Sequence, residues 1–409
     1  MVTLFMVGLL GFFLFAYLYL VRTQRGFVAR SQGWNAALAM AEAGVEEALA
    51  QLNPGAPAPS INRSANGWGA AANGVYGPIS RTLTNNGSYS VICSTDTYPV
   101  IYSTGYVSVA SIPATLTRVV RVTTADASLF HAGLATKLDL DFKGNNVNTD
   151  SFNSTSPQLS SNGQYDPLKT STNGDIASIG GIVNVGNATI NGSVLLGPTA
   201  SETQLKNGVV SGGVTNDFNL EFADVVLPSG SPLPAVPLLV PLVTNGISYT
   251  YSFLVGGYYT IDSLNANVYV APGVNVTLLL TGNASPNYIR IGSGGMSTNG
   301  SLTVYMDGPS FTLSGTDLVD SGNALNFSYY GTTNNTSVKL GGNATFIGTV
   351  YAPEADFTMG GGGNNPYDFI GAAVIKSATL NGHFNFHYDE NLTRGGPKSG
   401  YIASSWTEL

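Results

Sequence analysis

FIGTVYAPEADFTMGG, residues 346–361, recurs with the same opening as FIGAAVIKSATLNGH at residues 369–383. Looser copies precede the pair, LTVYMDGPSFTLSG from Leu302 and LNFSYYGTTNNTSVKLGG from Leu325, which sets a repeat of roughly 20 to 25 residues. Each copy reads as two short strands separated by a turn of Gly, Asn or Pro. Apolar residues alternate within the strands: Phe311 with Leu313, Val338 with Leu340, Phe357 with Met359 and Ala378 with Leu380. Each such pair points to one side of its strand. Strands this short cannot bury a core singly, whereas stacked parallel rungs bury one between them, so the pattern predicts a parallel β-helix, a solenoid.

Working towards the N-terminus, IVNVGNATINGSVLLG at 182–197 and LNANVYVAPGVNVTLLLTG at 264–282 fit the same scheme. Between them the pattern breaks at PSGSPLPAVPLLVPLV, because a central strand does not tolerate that many prolines. The β-helix is therefore expected over residues 137–393, with an insertion at about 201–260 that either meets another subunit or packs back on the rungs, and a tail at 394–409. Residues 54–136 read as a Pro-, Ala- and Asn-rich linker followed by three amphipathic strands, NGSYSVICST, YPVIYSTGYVSVAS and TLTRVVRVTTA, which predict a small antiparallel sheet. The single cysteine, Cys93, falls in the first of these strands and reads as a buried strand residue, and one thiol excludes an intrachain disulfide.

Residues 1–21, MVTLFMVGLLGFFLFAYLYLV, carry no charge and are long enough to span a bilayer. The run lacks the basic start and small-residue cleavage site of a secretory signal, so it is expected to be retained. RTQRGFVARSQGWNAALAMAEAGVEEALAQLN continues the helix, with Trp34, Leu38, Ala41, Val45, Leu49 and Leu52 at three- and four-residue steps, until Asn53-Pro54-Gly55 stops it. The whole segment, residues 1–53, predicts one helix of about 75 Å at 1.5 Å per residue. Arg22, Arg25 and Arg30 directly after the apolar run would hold the following domain in the cytoplasm by the positive-inside rule. A short basic leader removed ahead of Met1 would reverse that orientation.

An apolar start running into a helix that ends NAALAMAEAGVEEALAQLN resembles the N-terminal segment of PilX-type minor pilins and related pseudopilins, the stretch AEAGVEEAL at 41–49 most specifically. YAPEADFTMGGGG, NGHFNFHYDENL and the closing SSWTEL resemble the end of a β-helical domain that follows such N-termini in bacterial surface proteins. The resemblance implies an α+β chain with a pilin-like helix, a small sheet and a C-terminal β-helix. Such a chain is inserted in the cytoplasmic membrane first and then polymerised into a type IV pilus-like filament at the cell surface. It also implies as partners a prepilin peptidase, which leaves a methylated N-terminus, and the pilus assembly machinery. Met1, Phe5, Gly8, Gly11, Phe12, Phe13, Phe15, Leu20, Trp34, Leu38 and Val45 are then expected to pack between helices of a homopolymer. Phe5 departs from the family, which usually has a glutamate there to pair with a neighbouring N-terminal amine.

Composition bounds the remaining alternatives. Charged residues make up 10% of the chain and the formal net charge is −8, so no basic surface is available to neutralise the phosphates of a nucleic acid. HFNFHYDE puts His383, Asn385, His387 and Asp389 on one face of a strand, but histidines two pleats apart are about 13 Å apart, too far to share an ion, and no metal or other cofactor is expected. Carboxylates in the repeats, chiefly Asp307, Asp317, Asp320, Glu354 and Asp356, read as isolated solvated charges, so an enzyme acting on polysaccharides is not expected. Of thirteen Asn-X-Ser/Thr sites, Asn62, Asn187, Asn275, Asn343 and Asn391 stand as candidate glycosylation sites. A filament subunit is the leading reading. The alternative is a minor pilin or membrane-anchored adhesin whose β-helix binds surfaces or glycans, and self-assembly separates the two.

Overall fold

The computed structural model describes residues 1–53, 67–110, 113–143, 147–203, 209–234, 241–244, 246–292, 299–315, 319–342, 345–361, 367–395 and 398–409. The chain divides into two compact units, residues 1–54, 59–127 and 400–409 in the first and residues 55–58 and 128–399 in the second.

In the first unit α1, Val2–Leu52, is one unbroken helix. Four strands follow, β1 Val75–Thr84, β2 Gly87–Ser94, β3 Val100–Val107 and β4 Leu116–Ser128, paired antiparallel in that order. Residues that the sequence offers only as a tail supply β5, Lys398–Glu408, on the edge next to β4. The C-terminal part of α1 lies on this sheet through Gly33, Ala37, Ala41, Gly44, Val45, Ala48 and Leu52, a stripe at three- and four-residue steps. It meets Val91, Cys93, Ile101, Val120 and Val122, all buried, to form the unit's core. Small residues set the distance between helix and sheet. A Cβ on Gly105 would come within 2.0 Å of the Ala37 carbonyl oxygen and one on Gly44 within 2.2 Å of Ser103 Oγ, so the helix backbone rests directly on β3. Glu47 anchors the contact from the helix side. It accepts hydrogen bonds from Tyr89, Arg81 and Trp68, and although burial pushes its pKa up, these donors hold it below the ordinary carboxylate value.

The second unit is built on a large, predominantly parallel sheet whose registers resolve into three ladders. Phe346–Gly361 and Tyr367–Gly382 pair in parallel, Phe346 opposite Phe369, as the repeated Phe-Ile-Gly predicts. The inward residues read from sequence lie in the core and in register, Phe311 beside Val338, Phe357 and Ala378, and Leu313 beside Leu340, Met359 and Leu380. A second ladder aligns Val210, Ile190, Thr149, Phe386, Phe369, Phe346, Val319, Ile289 and Val268. Here Phe346, Phe369 and Phe386 stack with ring centroids 4.7 Å apart at each step. Chain order and spatial order differ. Tyr367–Gly382 pairs on one side with Phe346–Gly361 and on the other with Leu134–Thr136 and Leu140–Phe142, so the last repeats lie inside the stack and the first ones are added beyond them.

That arrangement explains the break in the repeat. The excursion expected at about 201–260 is narrower, because Ser201–Thr203, Val209–Val210 and Val214–Thr215 still extend the ladders and Tyr251–Phe253 rejoins them. Residues 216–232 must return the chain from the strand at Val214 to the strand at Leu233, which stand at opposite ends of the third ladder. Roughly ten spacings of about 4.8 Å amount to some 48 Å, which so few residues cover only when nearly extended. This strap buries Phe218, Phe222 and Val225 on an outward-facing row that includes Tyr351, Tyr330, Tyr305 and Leu279, and Tyr351 donates a hydrogen bond of 2.8 Å to the Ala223 carbonyl. Packing back on the rungs is thus the outcome for 216–227, while residues 235–240 of the proline-rich run lie outside the described residues.

Candidate functional site

Two surfaces stand apart from the packing just described. The first is the N-terminal part of α1. Residues 1–20 are exposed throughout, and the first residue of the helix buried against its own sheet is Gly33. Phe5 is 72% exposed, Phe12, Phe13, Phe15 and Leu20 are comparably open, and a Cβ on Gly8 or Gly11 would meet nothing within 4 Å. The helix is long and apolar enough to cross a membrane by length and composition.

The sequence-derived packing set divides at this point. Met1, Phe5, Gly8, Gly11, Phe12, Phe13, Phe15 and Leu20 lie on the uncovered segment. Trp34 is 41% exposed with the Arg118 guanidinium 5.7 Å from its ring centroid. Leu38 packs partly on the subunit's own sheet, and Val45, expected between copies, is fully buried there. Its neighbours Ala41, Gly44 and Ala48 are small enough to let the helix settle on β3, which takes Val45 out of reach of any other molecule.

The second surface lies on the outside of the parallel ladders around His387. Its Nδ1 is 2.6 Å from Asp150 Oδ1 and its Nε2 is 3.1 Å from Asp368 Oδ1. Tyr165 stacks on the imidazole at 3.7 Å and donates to Asp150 Oδ2. Burial alone would lower the His387 pKa, but hydrogen bonds and charge from the two aspartates raise it above the ordinary value. With both nitrogens engaged His387 has no lone pair to offer a metal, and the described residues hold no group of three His, Cys, Asp or Glu side chains arranged to bind one. Of the other candidates in HFNFHYDE, Asn385 hydrogen-bonds Asp368 and Asp389 is buried, its Oδ1 accepting from the backbone N–H groups of Ser154 and Asn391. Asp389 Oδ2 has no hydrogen-bond partner among the described residues, and burial pushes the carboxyl pKa up.

Beside this cluster a cavity of about 260 Å³ opens on the same outer row. Ile347 and Ile370, adjacent in register, line it together with Phe152, Gln164, Tyr165, Asp320, Asn323 and Asp389. Sequence reading missed Asp150, Asp368, Tyr165 and the paired isoleucines because parallel pairing of strands and the loop that carries Tyr165 bring them together, and the outward Ile at the second place of each Phe-Ile-Gly was the one signal on offer.

The remaining carboxylates are met by neighbours. Glu354 pairs with Lys137, Asp356 accepts from Ser377, Asp307 from Thr332 and Asn334, and Asp320 lies 4.0 Å from Arg290, while Asp317 is outside the described residues. Of the candidate glycosylation sites, Asn187 and Asn275 are exposed, Asn275 accepting from Ser301, and Asn391 uses its side-chain amide on Ser154. Asn62 and Asn343 lie outside the described residues.

No curated protein matches the chain. The crystal structure of the competence-associated pilin ComZ from Thermus thermophilus aligns with 12% identity and a TM-score of 0.30 over 92% of this chain and 97% of that one. Residues 248–394 match the model of a family described as a domain of unknown function, DUF7305.

Proposed function

We propose that this chain is a pilin-like subunit that inserts in the cytoplasmic membrane through its N-terminal helix and then polymerises through the same helix into an extracellular filament. The observation that carries the reading is the division of α1, whose C-terminal part is buried on its own sheet while residues 1–20 are all exposed and free of charge, with no cover among the described residues. Burial of a large apolar side chain contributes about 2 kcal/mol, so Phe5, Phe12, Phe13, Phe15 and Leu20 together favour a lipid or protein environment by on the order of 10 kcal/mol. Water cannot hold such a segment open, and a membrane and a bundle of like helices are the two environments that can. The sequence resemblance to PilX-type N-termini supports the second as the final state, with a prepilin peptidase and the assembly machinery as partners on the way.

The parallel ladders form the faces of a β-helix in this reading. Three ladders that share one apolar core, with strap 216–232 running along their outside, support that closure. No step of it calls for catalysis, and the unit serves as the displayed outer domain. Purified full-length chain examined by electron microscopy after detergent removal should give filaments, whereas dispersed particles or vesicle-bound monomers would favour a membrane anchor that does not polymerise.

A further inference from the structure

The cavity beside His387 is not needed for assembly, and its lining has a chemistry of its own. It is lined by Ile347 and Ile370, half-buried side chains on the outside of the ladder, in a row whose nearest other members are polar and titratable: Arg290 and Asp320 lead into them, and His387 and Asp150 follow. Outward isoleucines add nothing to the core, and here they make an apolar strip with polar ends. Tyr165 and Asn323 line it as well, and the wholly buried Asp389, whose Oδ2 has no hydrogen-bond partner among the described residues, borders it. Neither Lys nor Arg lines the cavity among the described residues.

From this combination we infer that the cavity binds one neutral or amino sugar residue, its C–H face on Ile347 and Ile370 and its hydroxyls on Asp320 and Asn323. A sugar ring is the common ligand with an apolar face and a rim of hydroxyl donors, which suits an apolar floor between acceptors. Anionic sugars and phosphates are disfavoured, because they would face two carboxyls without a lining cation. At about 260 Å³ the cavity is smaller than the roughly 300 Å³ at which pockets for drug-sized ligands begin, so it takes a single ring.

Saturation-transfer NMR on the full chain, held in a detergent without a sugar headgroup, tests this with galactose, glucose and glucosamine against glucuronate. Transfer to one or more of the first three is expected, with none to glucuronate. Ile370→Trp, which fills the cavity from an outer position, should abolish it, and Asp320→Asn should weaken binding by about threefold or more with an unchanged far-UV spectrum. Absence of transfer to all three sugars, equal transfer to glucuronate, or an unchanged signal in both variants would overturn the assignment.

Discussion

His387 joins three stretches of chain that lie far apart in sequence. Asp150 comes from one strand of a ladder, His387 from the next, and Asp368 from the one after, with Tyr165 laid over them. Since the pKa of His387 is raised by folding, the stabilisation is complete below the unfolded value of about 6.5 and is lost as pH rises through the higher folded value. Thermal unfolding of the second unit should therefore move to lower temperature as pH is raised across that window. His387→Gln should remove this contribution, leaving the opposite one of His131, whose pKa burial lowers, and cost roughly 3 kcal/mol at about pH 6, because Asp150 is left buried beside an uncharged neighbour. A pH-independent midpoint in the parent chain would show that His387 is neutral. In sequence, HFNFHYDE stood out as the polar cluster to weigh, but nothing local pointed to Asp150, 237 residues away.

Among the elements, the aromatic stack and the strap contrast in how far sequence reveals them. Phe346 and Phe369 open the two copies of one repeat, so their superposition was readable from self-similarity alone, and the alternating inward pairs followed from strand periodicity. Phe369 is wholly buried between Phe346 and Phe386, and Phe369→Ala should cost about 3–5 kcal/mol in denaturant unfolding of this unit. The strap has no such repeat to betray it. Its sequence only signals where the pattern stops, and its path depends on a spatial order of rungs that the linear order does not contain. Replacing Phe218 and Phe222 with Ser should release residues 216–227 to limited proteolysis while the parallel ladders keep their far-UV signature. Resistance to cleavage equal to the parent chain would mean that the tyrosine row does not hold the strap.

At the scale of the whole molecule, apolar surface goes four ways: into the core of the parallel ladders, into the outward tyrosine row under the strap, into the contact between helix and small sheet, and into an exposed N-terminal segment. Sequence made the last of these legible, because an uncharged apolar run of 21 residues has to be kept from water wherever it sits. It placed the boundary between inner and outer packing less well, assigning Val45 to contacts between copies, since the alanine and glycine spacing that admits a sheet also admits another helix. Phe5 gives the open segment no titratable group, so assembly through it should vary little with pH at that position. The most direct test of the central claim is to remove residues 1–25 and follow the product by electron microscopy and sedimentation. Monomers with both sheets still folded are predicted, because the helix first meets its own sheet at Gly33. Filaments that persist without those residues would contradict a helical core and place the polymer contacts on the β-units.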